Sequence, residues 1–165
     1  MSDTDRLDAL ERRVAELEKR FETRPATDQT GTDLFWALDG LVDRVPEPGA
    51  VLLTGHVTLP DGRAARWQES GGTGELLDSD WAQQVTALAA LAHPARIRLL
   101  QRVLHGAGTA HDLMRVDGMG TSGQVYHHLR QLVAAGWLHA LGAGRYEVPA
   151  ARVVPLLAIM VGARR

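Results

Sequence analysis

Residues Gly120 to Leu138, GTSGQVYHHLRQLVAAGWL, decide the fold. Thr121 and Gln124 stand at the spacing of a capping box, in which each side chain serves the other residue's free backbone N–H. Val125, Leu129, Leu132 and Val133 recur at i, i+4, i+7 and i+8, the apolar stripe of a helix lying on a core. Ser122, His127, Arg130 and Gln131 occupy the other face, with Tyr126 and His128 near its boundaries. Gly136 supplies a helix stop, and Trp137-Leu138 is expected to open an apolar strand.

A short helix is expected just upstream, from Thr109 to Met114, with Thr109 and Asp112 as its own cap and a turn through Asp117-Gly118-Met119-Gly120. Two helices joined by a glycine-bearing turn, the second capped and polar-faced, form the helix-turn-helix pattern, whose second helix enters the DNA major groove. On either side, His93-Pro94 breaks one helix and lets Pro94 open the next, where its missing N–H costs little. Leu138 to Val148 (LHALGAGRYEV) reads as two short strands around Gly142-Ala143-Gly144, with Arg145 beside the tip.

These pieces, in this order, carry a family likeness. Leu88 to Leu100 (LAALAHPARIRLL), then Val125-Tyr126-His127-His128-Leu129 with Leu132 and Ala135-Gly136-Trp137-Leu138, resembles the arsenic-repressor-type (ArsR-type) winged helix-turn-helix regulators over Trp81 to Gly162. The resemblance implies a recognition helix followed by a wing, dimerisation through the last helix, and bacterial transcription regulation, more often repression. It also implies a place for metal ligands, which this chain leaves empty. The first helix of the motif offers only the adjacent His111 and Asp112, and residues 150–163 contain no His, Asp or Glu. Neighbouring His127 and His128 point about 100° apart on a helix and do not readily share an ion. No metal and no cofactor is expected.

Charge is split along the chain. Residues 1–80 carry nine Lys or Arg against seventeen Asp or Glu, a net of −8. Residues 81–165 carry nine Arg against three acids, a net of +6, with six of the seven histidines. A basic half that bears the helix-turn-helix is the electrostatic footprint of phosphate contact. With no cysteine in 165 residues, disulfides and thiol chemistry are excluded. A charged N-terminal stretch without a long apolar run points to a cytoplasmic protein with neither signal peptide nor membrane anchor. Ser122 lacks the strained elbow of a nucleophile, so an enzyme is not expected.

Residues 1–24 form a heptad segment with Leu7, Val14 and Phe21 at a and Leu10 and Leu17 at d, a short parallel coiled coil that adds to a dimer fixed elsewhere. Residues 25–32 are a polar linker. Residues 33–74 make a small module: a helix over Asp33 to Val45, a strand over Val51 to Leu59, the turn Pro60-Asp61-Gly62-Arg63, a return over Ala64 to Gln68, and a flexible glycine linker at 71–74. Within it Trp36 and Trp67, with Trp81 beyond, are candidates to line a ligand pocket beneath the hairpin. His56 is read as a solvated outward residue, and Asp78 and Asp80 as helix caps ahead of Trp81.

The resulting expectation is a mainly α chain with small β elements (α+β): coiled-coil helix, hairpin module, winged helix-turn-helix over 75–149, and a C-terminal dimerisation helix over 150–165. Thr121, Ser122, Gln124, Tyr126, His127 and Arg130 are the candidate DNA contacts of the helix Thr121 to Ala135, and Arg145 the phosphate or minor-groove contact of the wing. Val153, Leu156, Leu157 and Met160 are the candidate dimer seam, with Pro155 either in the first helical turn or opening the helix. Expected partners are double-stranded DNA and a second copy of the chain. Residues 33–70, which have no DNA-reading task, are where a small-molecule or protein effector would act. The alternative is a winged-helix interaction or architectural module without selective base readout.

Overall fold

A computed structural model of the protein describes residues 12–16, 34–115 and 120–164. Two compact units divide the chain, Met1–Gly40 and Leu41–Arg165. In the first, residues 12–16 are helical with Val14 exposed. The other heptad residues, Leu7, Leu10, Leu17 and Phe21, lie outside the described residues. Helix α1 (Trp36–Val42) is shorter than the periodicity predicts, and Leu34, Phe35, Trp36 and Leu38 face solvent.

The larger unit mixes helices with two antiparallel hairpins. Strands β1 (Ala50–Thr58) and β2 (Ala64–Gly72) pair with Gly55 opposite Trp67. Their turn is set by Gly62, at φ +83°, and by Asp61, whose carboxylate accepts from Arg63 N (3.1 Å) and pairs with its Nε (2.8 Å). Those bonds favour the charged carboxylate and hold the Asp61 pKa below its ordinary value. The return strand runs on to Gly72, and helix α2 (Thr73–Asp78) begins at once. The expected glycine linker is therefore ordered strand and helix, because Gly71 and Gly72 still have β1 partners to bond.

A 3-10 turn (Trp81–Gln84), capped by Asp80 accepting from Ala82 N (3.0 Å), leads into α3 (Val85–Leu91). Asp78 instead ends α2. Leu77, Trp81, Val85 and Leu88 are exposed along this stretch. Helix α4 (Pro94–Leu104) starts as the sequence predicts, with Pro94 at its first turn and His93 Nδ1 accepting from Ala95 N (3.1 Å). Then come α5 (Ala110–Met114), α6 (Ser122–Ala134), the hairpin β3 (His139–Gly142) and β4 (Arg145–Glu147), and α7 (Ala150–Gly162).

One core joins these elements. Leu99 and Leu100 of α4, Leu113 of α5, Leu129 and Leu132 of α6, and Val153 of α7 are all at most 1% exposed. Trp137, placed just before β3, is buried, with its indole N–H donated to the Ala87 carbonyl (2.8 Å) and the Arg152 guanidinium 5.1 Å above its ring. Leu59 and Ala65 of the first hairpin belong to this same core. The hairpin is thus built into the body of the protein, and no domain boundary falls near residue 74.

The C-terminal helix corrects two expectations. Val153 and Leu156 are 1% and 3% exposed, covered by their own chain, so neither has surface left to bury in a dimer seam. Their cover includes the first hairpin, against which α7 packs. Pro155 sits inside the helix, well past its first turn; its ring takes away one backbone N–H that would bond the Ala151 carbonyl. Contact with β1 is so close that a Cβ on Gly55 would stand 2.6 Å from Val154 Cγ1.

Gly55→Ala is accordingly expected to lower the unfolding midpoint, at an overpacking cost of about 1–3 kcal/mol. Gly74→Ala, whose added Cβ meets open space at the start of α2, is expected to be neutral or to raise it. Thermal denaturation followed by circular dichroism checks the opposite signs.

Candidate nucleic-acid interface

The site is built on how α6 is started, rotated and stopped. Thr121 Oγ1 accepts from Gln124 N (3.4 Å) and Gln124 Oε1 accepts from Thr121 N (2.8 Å), the complete capping box. Gly120 makes room for it: its φ is +76°, and a Cβ there would stand 1.9 Å from Gln124 Oε1. At the far end Gly136, at φ +73°, lets its own N–H reach the Val133 carbonyl (3.0 Å) while Trp137 N reaches Leu132 O (2.9 Å), a Schellman stop. Between these ends Val125, Leu129 and Leu132 are buried, which turns the opposite face outward.

That face holds Ser122, Tyr126, His127 and Arg130, all exposed. Two predicted contacts have other work. Gln124 spends its side-chain carbonyl on the cap, which leaves its amide N–H groups as donors but removes the bidentate pairing with adenine. Thr121 spends its hydroxyl on the same cap. Gln131, also on the polar face in the sequence pattern, is bonded by the Arg96 guanidinium.

Arg96 is the residue that pattern reading missed. Besides Gln131 it bonds the Ala90 carbonyl (2.5 Å) and the Ala89 carbonyl (2.8 Å), tying the C-terminal end of α3 to α6. The signal was present: an arginine in the first turn of α4, where a helix dipole disfavours a cation unless it finds partners.

Before α6, Thr109 Oγ1 caps α5 by accepting from Asp112 N (3.1 Å). Residues 116–119, most of the predicted turn, lie outside the described residues. The second hairpin is fastened to the start of α5 by Ala110 N to Gly144 O (2.8 Å) and Tyr146 N to Gly108 O (2.8 Å). Its tip, Gly142-Ala143-Gly144, runs entirely at positive φ, and Arg145 follows it, exposed. Among the described residues, neither Arg130 nor Arg145 has its guanidinium in a hydrogen bond or ion pair.

The rings of His93, His127 and His128 cluster beside the helix start, tilted or edge-on to one another. The His93 and His128 rings lie 4.6 Å apart, and those of His127 and His128 5.8 Å. His128 is half-buried, and its Nδ1 is buried with no hydrogen-bond partner among the described residues. Desolvation, followed by the charges of His93, Arg96 and His127, holds its pKa below the ordinary 6.5. Among the described residues no group of three or more His, Cys, Asp or Glu is arranged to hold a metal ion, and no helix is long and apolar enough to cross a membrane. Trp36 and Trp81 are exposed, and Trp67 donates its indole N–H to Glu69 (3.1 Å).

No protein-family model matches the chain, and no curated protein matches it.

Because the folded His128 holds its proton less tightly than the unfolded chain does, stability is full above pH 6.5 and falls as pH drops toward the folded value. His128→Phe keeps the ring and removes the titration. Its urea midpoint is expected to fall less between neutral and mildly acidic pH than that of the wild type.

Proposed function

We infer that this protein is a winged helix-turn-helix DNA-binding regulator of the ArsR type, with α6 as the recognition helix and the β3–β4 hairpin as the wing. The observation that carries the reading is the outward face of α6: Ser122, Tyr126, His127 and Arg130 exposed on a helix whose opposite stripe is buried. A helix held rigidly at both ends and presenting donors and a cation is what reading base edges requires. Arg130 and Arg145 have no internal partners among the described residues, so phosphates or base edges are open to them. The excess of arginine over acid in residues 81–165 supports the same reading.

Within this reading Tyr126, His127 and Arg130 carry base contact, Ser122 the phosphate at the helix start, and Arg145 the backbone or minor groove. Gln124 and Thr121 position the helix. A homodimer belongs to the proposal, because half-sites on duplex DNA are read in pairs. Its support is the heptad register over residues 7–21 and the exposed strip Leu77, Trp81, Val85 and Leu88. Repression of transcription follows from the family likeness.

Selection from a random duplex library at low salt is expected to enrich one motif. Arg130→Ala is expected to cost about 1–3 kcal/mol and to relax preference at one position. Arg145→Ala is expected to weaken all sequences alike and to lower the salt slope by about one unit. An unenriched library with no salt-dependent binding would contradict the reading.

A further inference from the structure

Between α4, α7 and the turn end of the first hairpin lies a cavity of about 360 Å³. Leu59, Leu100, Leu104 and Leu156 face it, and each is almost fully buried, so its floor is hydrocarbon. Leu157 and Met160, half-buried, make a wall. Among the described residues its strongly polar lining side chains are Gln101, in the last turn of α4, and His105, which caps that helix; both are exposed and therefore stand at its mouth. We propose that this cavity is a binding site for a small apolar molecule bearing one hydroxyl group, such as an alkylated phenol.

The chemistry of the mouth selects that class. His105 Nδ1 lies 2.7 Å from the Gln101 carbonyl, which can only accept, so Nδ1 carries the proton. In the neutral imidazole Nε2 is then an acceptor, ready for a hydroxyl donor. The Gln101 side-chain amide has no partner among the described residues and can donate to the same hydroxyl oxygen. Among the described residues no carboxylate lines the space to hold a cation.

The size selects it too. At the roughly 30 Å³ that a water occupies in the liquid, the space takes about a dozen small groups. That suits one ring with a short alkyl chain, whereas a helix of a second copy would need a groove several turns long. Water gains little there, since an apolar cavity without polar partners stays dry and takes up hydrocarbons. Such a space, apolar within and with a few convergent polar groups, is the usual form of a small-molecule site. Its walls come from the same α4 and α7 that hold the core, and the site neither requires nor implies DNA binding.

The test is a titration of the full chain with para-pentylphenol, followed by the methyl resonances of the cavity leucines and Met160. Saturable shifts confined to those methyls are expected. Leu157→Trp fills the space and is expected to abolish them, with Met160→Trp as a second filling variant should the first unfold. His105→Ala is expected to weaken binding about tenfold, the loss of one good hydrogen bond. The assignment is overturned by absence of saturable binding, or by binding that survives both folded filling variants. Unchanged affinity in His105→Ala overturns the hydroxyl-bearing ligand class.

Discussion

The burial of Val125, Leu129 and Leu132 is the constraint on which the rest of this structure depends. A helix of thirteen residues has little stability alone in water. Sunk against the leucines of α4 and α5, α6 gains both its stability and a fixed rotation. Each leucine fully buried is worth roughly 1.5–3 kcal/mol of transfer free energy. Rotating the helix to bury Tyr126 or Arg130 would expose that stripe and desolvate a polar group or a charge. The outward face is therefore decided by what the inward face cannot give up.

Around this contact, a small number of polar bonds hold the neighbouring elements in place. Trp137 bonds Ala87 and lies under Arg152, which ties α3, the exit of α6 and α7 together. Arg96 spans the end of α3 and Gln131 of α6. Arg63, at the first hairpin turn, reaches Glu147 of β4 at 3.4 Å, a partly exposed pair of small energetic weight. The larger contribution of that hairpin is steric. Gly55 admits Val154 to within contact of the strand backbone, and α7 settles on the sheet as a result.

What was legible in the sequence was local. The Thr121–Gln124 and Thr109–Asp112 caps, the His93-Pro94 helix start, the Gly136 stop and the glycine tip of the second hairpin all depend on residues a few positions apart. The structure has each of them. What was not legible required knowing the partner. The apolar run from Val153 to Val161 fits a dimer seam and an internal hairpin equally well, since burial against either removes the same surface from water. Gly55 on the inner face of β1 was the available clue, a missing side chain where α7 needed room. Gln124 shows a different limit: one carbonyl served two expectations, helix cap and base contact, and geometry grants it to the cap.

We propose that one face of α6, together with the β3–β4 tip, meets a DNA duplex. Amide hydrogen exchange on the full chain, with and without duplexes recovered by selection, tests this most directly. Slowed exchange is expected to concentrate in residues 120–130 and 142–146, with the β1–β2 hairpin unchanged. Protection centred on that hairpin or on α2, with residues 120–130 unaffected, would contradict it.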